Sequence, residues 1–376
     1  MEEHSRVYAK IDLDAVEYNF KNMRANIRPG TKLIAVVKTN AYGHGAVEIS
    51  RLVEKYDYVW GFAVATTEEG IELRRAGIRK PVLILGYVFP EDYDVLVREQ
   101  FRPAVFKLSM AKELDDAASR AGIIAPVHIA VDTGMTRIGF QVNEDNADIV
   151  KEIASLPHLK IEGMFTHFAK ADEKDKTYAR EQFEKFRSFT NMLEERGVKI
   201  PFRHVSNSAC IQEIPEFELD GVRAGITIYG IYPSNEVDRS RLLLRPVMEL
   251  VSHIAYIKLV PAGTPVSYGG TYVTSRPTRI ATIPVGYGDG YPRMLSNKTD
   301  VLIGGRRAKQ IGRICMDQFM VDVTGLDAEE GQKVTLLGKD GDKEITVDEL
   351  GELSGRFPYE FVCDISPRVP RIYIHS

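Results

Sequence analysis

Leu33-Ile34-Ala35-Val36-Val37 runs without a break into Lys38-Thr39-Asn40-Ala41-Tyr42-Gly43-His44-Gly45, and this stretch decides how the fold is read. Five successive apolar residues followed by a glycine-rich polar segment read as a short buried strand that delivers one lysine to its own carboxyl end. An amphipathic stretch, Gly45–Tyr56, comes next, and the same alternation of apolar run and helical pattern repeats down the chain. Further strands are expected at Tyr58–Val64, Pro81–Leu85, Pro103–Phe106, Val127–Val131, Ile161–Phe165 and Arg203–Ser206, with a short one ending at Arg223. Between them Thr67–Ala76, Ser109–Ala121 and Thr177–Arg196 carry helical spacing. Repeated βα units make a parallel sheet, and eight of them predict a closed (β/α)8 barrel of the TIM type. Asp14-Ala15-Val16-Glu17 resembles a capping box, so a helix is expected to begin there, ahead of the first barrel strand.

Beyond Tyr232 the texture changes. Val251–Val260, Arg279–Val285 and Gln310–Val323 are β-type runs punctuated by Gly and Pro turns, which predicts a second, mainly β domain. The turn-forming Pro233-Ser234-Asn235 and the Arg-rich Asp238–Arg245 mark the change, so residues 12–238 are assigned to the barrel and 239–376 to the β-rich domain, which residues 1–11 can join.

Composition narrows the function. The chain has 376 residues, 44% hydrophobic and 27% charged, the balance of a globular protein rather than a disordered or membrane one. A formal net charge of −4 with Lys and Arg dispersed offers no basic arm for nucleic acid, which favours a small-molecule substrate. The opening Met1-Glu2-Glu3-His4 carries no apolar run, so neither a secretion signal nor a membrane anchor is expected and the chain should stay in the cytoplasm. Cys210, Cys315 and Cys363 are widely spaced and read as buried thiols, with no metal site expected.

In such barrels the chemistry sits where the strands end. Lys38 there is poised to lose its proton, because partial burial disfavours the ammonium and the free amine condenses with an aldehyde cofactor. Other strand ends bring Asp132-Thr133-Gly134-Met135-Thr136-Arg137, His167, Ser206-Asn207-Ser208 and Arg223-Ala224-Gly225-Ile226. A phosphate docks readily beside the seventh and eighth strands, where Ser208 and the backbone of Gly225 and Ile226 can cradle it. Gly286-Tyr287-Gly288-Asp289-Gly290 looks like a phosphate loop, but no helix follows it, so a tight turn is expected instead. Arg293 and Arg313 near it are read equally well as entrance residues or as solvated surface.

Ala35–Gly45 closely resembles the cofactor-lysine signature of bacterial alanine racemases. The likeness continues through Val131–Phe140, Gly163–Phe168, His204–Ala209, Val222–Gly230, Val266–Tyr268, Val285–Gly290, Ile311–Gln318 and Pro358–Arg371. The resemblance implies pyridoxal 5'-phosphate held covalently by Lys38, with Tyr42, Ser208, Gly225, Ile226 and Tyr359 on its phosphate, Arg223 facing the pyridine nitrogen and Arg137 the phenolic oxygen. It implies that alanine is the substrate, its carboxylate held by Arg137 and the backbone at Met316. Two acid/base groups are needed to move a proton from one face to the other, and the resemblance assigns them to Lys38 and Tyr268. A tyrosine titrates near ~10 and needs a positive neighbourhood to act as a base, which Arg223 and His167 are expected to supply. Tyr268 and Met316 would reach the site of the opposite subunit in a head-to-tail homodimer. The product D-alanine would feed peptidoglycan synthesis.

Three positions depart from the family's usual pattern. Thr39 stands where a smaller residue is common, Pro367 where a longer side chain is common, and Ala130 where many relatives carry a lysine that buttresses the arginine matching Arg137. At the last, a bound small anion or another side chain is expected to replace the buttress. Two alternatives stay open: a barrel that binds the cofactor without catalysis, and a decarboxylase of the same barrel-plus-β plan, although no cysteine-bearing loop of the latter kind is seen.

Overall fold

The computed structural model describes residues 6–375. The chain folds as two compact units, one comprising residues 17–41 and 46–245, the other residues up to 16, 42–45 and from 246 onward.

The first unit is a closed barrel of eight parallel strands: Lys32–Val36, Val59–Val64, Val82–Ile84, Arg102–Val105, Ala125–Asp132, Leu159–Phe165, Phe202–His204 and Gly221–Ala224. Each pairs with the next, and Gly221 opposite Lys32 closes the ring. All eight expected strands are present. The seventh ends at His204 rather than Ser206, because the chain then turns into a short helix, Ser208–Glu213, capped by Asn207 Oδ1 on the Cys210 N–H at 3.1 Å. Helices Ala46–Glu54, Thr67–Arg75, Leu108–Ala121 and Thr177–Glu195 occupy the four stretches that carry helical spacing. Their apolar stripes face the barrel: Phe186, Phe189 and Leu193 of the last are fully buried.

The second unit is mainly β. Its ten-stranded sheet is antiparallel except at one edge, where Arg371–Ile374 lies parallel to Val7–Asp12, which in turn pairs with Met248–His253. Asp300–Ile303 and Arg306–Ile311 form a hairpin whose two turn residues, Gly304 and Gly305, both have positive φ (55° and 73°), the requirement of a two-residue turn that follows strand twist. The β-type run expected over Gln310–Val323 is interrupted: after Arg306–Ile311 the backbone at Gly312 takes φ 76°, and a loop carries Arg313, Cys315 and Met316 before Phe319–Asp322 resumes pairing. The helix expected near Asp14 begins at Leu13, and its cap is Asp12, whose Oδ1 accepts the Ala15 N–H at 3.0 Å. Asp14 instead lies 2.8 Å from His375 Nδ1, so the capping pattern is legible but displaced by two residues. No helix among the described residues is long and apolar enough to cross a membrane.

Candidate active site

Lys38 stands two residues past the end of the first barrel strand, and the backbone beyond it winds into a left-handed turn. Thr39, Asn40, Ala41 and Tyr42 have φ between 50° and 54°. A left-handed helix costs L-residues roughly 1–2 kcal/mol each, so four in succession must be held by specific partners. The Thr39 N–H donates to Glu69 Oε1 at 2.5 Å, and Glu69 Oε2 accepts the Ala65 N–H at 2.7 Å. Asn40 Oδ1 accepts the Ala46 N–H at 2.9 Å, closing the segment onto the start of the next helix. Neither Glu69 nor Asn40 stands out in the sequence. The Thr66-Thr67-Glu68-Glu69 spacing is a capping-box signal, but Glu69 turns its carboxylate to the turn after Lys38.

Within the second unit, Tyr42–Gly45 packs against the last segment of the chain. The Tyr42 and Tyr359 rings lie 6.0 Å apart, Arg371 Nε donates to the Gly43 carbonyl at 2.9 Å, and the carbonyl of Val362 leaves no room for a β-carbon on Gly43, whose φ is 81°. Burial, with a smaller contribution from Cys363, pushes the Tyr42 phenol well above its ordinary value, so it stays a hydrogen-bond donor.

At the carboxyl end of the barrel the remaining candidates converge. Arg223 is almost wholly buried: its Nη1 donates to His204 O and meets His204 Nδ1 at 2.9 Å, while Nη2 donates to Thr166 O at 2.7 Å and Val205 O at 3.0 Å and meets His167 Nδ1 at 3.4 Å. The Nε–H has no acceptor among the described residues. Burial, and then the charges of Arg223, Arg137 and Lys38, press the His167 pKa down to about 3. His167 is therefore held neutral, so of the two expected sources of positive charge only Arg223 carries one. Ser208 Oγ accepts the Gly225 N–H at 3.0 Å and lies 3.0 Å from the Thr227 hydroxyl, whose single hydrogen is shared between it and Met23 Sδ at 3.1 Å. Ile226 opens the turn that comes next.

Asp132 Oδ1 shapes the loop before Arg137 by accepting the Gly134 and Thr136 N–H groups, both at 3.0 Å. Arg137 itself is exposed, with no hydrogen bond or ion pair to the described residues. No side chain among the described residues takes the place of the lysine missing at Ala130, which is buried in an apolar cluster with Ala104 and Phe165.

In the second unit Tyr268 and Met316 are exposed at 67% and 53%, so neither is used in the packing of its own unit. Their loops are joined, since Ser267 Oγ donates to Arg313 O at 2.6 Å and lies 3.5 Å from Cys315 Sγ. The Gly286–Gly290 cluster is a tight turn, as expected. The Tyr287 and Gly288 N–H groups donate to the Cys315 and Met316 carbonyls at 3.1 and 2.8 Å, so the turn holds the Met316 segment. Asp289, buried within it, binds Arg6 and Arg368. Arg293 and Arg313 are both exposed. No disulfide joins the three cysteines.

The groups at the barrel mouth fit a phosphorylated, ring-nitrogen cofactor: a guanidinium whose Nε–H is taken by no described residue, a serine hydroxyl beside the Gly225 N–H and a lysine just past a strand end. A closed parallel barrel with these groups at its mouth, followed by a mainly β domain, is a plan open to both an amino-acid racemase and a decarboxylase. Residues 11–233 match the model of the alanine racemase N-terminal domain and residues 247–373 that of the C-terminal domain. The chain belongs to the alanine racemase family. It is 46% identical to the alanine racemase of Clostridium novyi (strain NT), covering 98% of this chain and 96% of that one, and 44% identical to that of Methanococcus maripaludis, covering 98% and 99%. Among solved structures it resembles alanine racemase of Clostridium difficile 630 (41% identity, 100% and 97% covered, TM-score 0.95) and that of Bacillus anthracis with bound L-Ala-P (35%, 100% and 96%, TM-score 0.94).

Proposed function

We propose that this chain interconverts L- and D-alanine, with pyridoxal 5'-phosphate on Lys38 and by a two-base mechanism in a head-to-tail homodimer. The observation that carries the reading is the buried Arg223, whose Nε–H lacks an acceptor among the described residues at the mouth of a barrel that also presents Lys38 and a neutral His167. When bound, the cofactor supplies the electron sink that acidifies the substrate's α-hydrogen.

The chain's own residues do the rest. Arg223 donates a hydrogen bond to the pyridine nitrogen and keeps its proton, since a guanidinium does not release one near neutral pH, and this leaves the ring a weaker sink. The Ser208 hydroxyl, the backbone of Gly225 and Ile226, and the phenols of Tyr42 and Tyr359 bind the phosphate. Arg137 contacts the phenolic oxygen and, with the Met316 backbone, the substrate carboxylate. The Lys38 amine moves the α-proton on one face and the Tyr268 phenol moves it on the other. The exposure of Tyr268 and Met316 supports their contribution to a second copy of the chain. Two tyrosines about the side-chain pocket favour alanine, with serine weaker by ~1–3 kcal/mol at most. In a cytoplasmic setting the product would supply peptidoglycan synthesis.

The decisive experiment follows the optical rotation of L-alanine with purified protein and with the Lys38→Ala variant, alongside the visible absorbance of bound cofactor. Rotation decaying to zero, with both signals lost in the variant, is expected. Cofactor absorbance without racemisation of alanine or serine would overturn the reading and direct attention to decarboxylation.

A further inference from the structure

Beneath Arg223 a chain of polar groups runs through the barrel, buried at His204 and His128 and partly exposed at Glu162 and Arg102. His204 Nε2 lies 2.9 Å from His128 Nδ1, and His128 Nε2 lies 3.3 Å from Glu162 Oε2. Glu162 accepts from Arg102 Nε at 2.9 Å and Nη2 at 3.2 Å. Arg102 opens the fourth barrel strand, whereas Arg223 lies near the carboxyl end of the eighth, so the chain connects the two ends of the barrel. Both imidazoles are fully buried, His204 stacked on Phe165 and His128 tilted against Trp60.

The direction of every bond in this chain is forced. A guanidinium has donors only, so His204 Nδ1 must accept from Arg223, and the His204 proton sits on Nε2. That proton points to His128 Nδ1, which must in turn accept, and the His128 proton sits on Nε2 facing Glu162. An ionised carboxylate only accepts, so both ends require the same polarity. Reversing it would set a His204 Nδ1–H against an Arg223 N–H, two donors face to face in a dry interior. The protonation states agree: burial foremost keeps both histidines below their ordinary value. Burial alone would raise the Glu162 carboxyl, but the His128 hydrogen bond and the Arg102 pair bring it down to about 2.

We propose that Glu162 is a positioning residue for Arg223: by accepting the His128 Nε2–H it fixes the tautomer of His128, whose Nδ1 then accepts from His204 Nε2–H and holds that ring in the orientation against which Arg223 presents its Nε–H at the barrel mouth. The inference deepens the proposed function and rests on its placing of Arg223 against the cofactor nitrogen. Neither Glu162 nor His128 touches the reacting atoms.

The test uses holoprotein with ¹⁵N-labelled histidine rings and compares Glu162→Leu, which removes the acceptor, with Glu162→Gln, which keeps a carbonyl there. In the Leu variant the His128 ring shifts are expected to leave the single Nε2–H form, the His204 Nε2 signal to move as its acceptor becomes uncertain in tautomer, and the cofactor absorbance to change. There kcat should fall about tenfold with KM altered less than about twofold, while Gln restores most of it. Unchanged His128 shifts in a folded Leu variant overturn the directional chain. A changed tautomer with unchanged absorbance overturns the facing of Arg223 to the cofactor, and with it the reach of Glu162 to the reaction. Should the Leu variant fail to fold, His128→Leu cuts the chain one link nearer Arg223 and is read by the His204 shifts.

Discussion

His167 Nδ1 stands 3.4 Å from Arg223 Nη2, and this neighbour helps to keep the imidazole uncharged far below the pH at which a free histidine titrates. Its folded pKa of about 3, set by burial first and the surrounding cations second, compares with about 6.5 in an unfolded chain. Between those values the unfolded chain binds the extra proton, so stability falls as pH drops below about 6.5 and the loss is complete near 3. Glu162 acts in the same direction lower down, its contribution present above 4.5 and lost as pH falls toward 2. Thermal melts of the wild type from about pH 8 to about pH 4 should decline, and His167→Gln should flatten the slope below about 6.5. An equal slope in both would mean that His167 is charged in the folded protein.

Glu69 holds the turn after Lys38, so Glu69→Ala leaves the Thr39 and Ala65 N–H groups without their acceptor. A loss of about 1–2 kcal/mol is expected, with faster release of cofactor on dilution. Retention equal to that of wild type would show the left-handed turn to be held without Glu69.

Asp289 ties Arg6 and Arg368 to the Gly286–Asp289 turn, which in turn holds the Met316 carbonyl. Both arginines are partly exposed, which screens the pairs, so Asp289→Asn should cost about 1–3 kcal/mol. In the proposed function KM for alanine rises with little change in kcat. A fall in kcat alone would place the effect elsewhere.

Ala130→Lys is expected to be harmful. The site is filled by Ala104 and Phe165, and a lysine there would overpack and bury a charge, at a cost of about 2 kcal/mol or more in chemical denaturation. A stabilised variant with raised activity would show that the loop of Arg137 does rearrange to accept a buttress.

The homodimer is checked by complementation. Lys38→Ala and Tyr268→Phe are each expected to be nearly inactive, and a mixture refolded together should regain activity, because one of the two sites in a mixed dimer then has both groups. A mixture as inactive as its components, or a fully active monomer on sedimentation, would overturn shared sites.

Barrel strands are legible in the sequence because each is an apolar run bounded by helical spacing, and the strand ends therefore point to Lys38, His167, Ser208 and Arg223. The hidden part depends on closure of the ring. His128, Glu162 and His204 are dispersed along the chain, and singly each reads as a satisfied core or surface residue; only the pairing of neighbouring strands brings them into line. The left-handed turn is equally hidden, since Thr39, Ala41 and Tyr42 have no local preference for positive φ and adopt it because Glu69 and Asn40 hold them there. The displaced cap at Asp12 is a near-miss of another kind, two acidic residues so close in sequence that spacing alone does not choose between them.

The strand Val7–Asp12 lies between Met248–His253 and Arg371–Ile374. On the ribosome this strand therefore waits for Met248–His253 before one edge is covered, and for Arg371–Ile374 before the other is. Barrel strands, each beside its sequence neighbour, can pair as they appear, whereas this sheet is completed only once Arg371–Ile374 has been made. A nascent chain stalled before Arg371 would carry an open edge at its amino end, a natural point of engagement for a chaperone or of mispairing with another nascent copy.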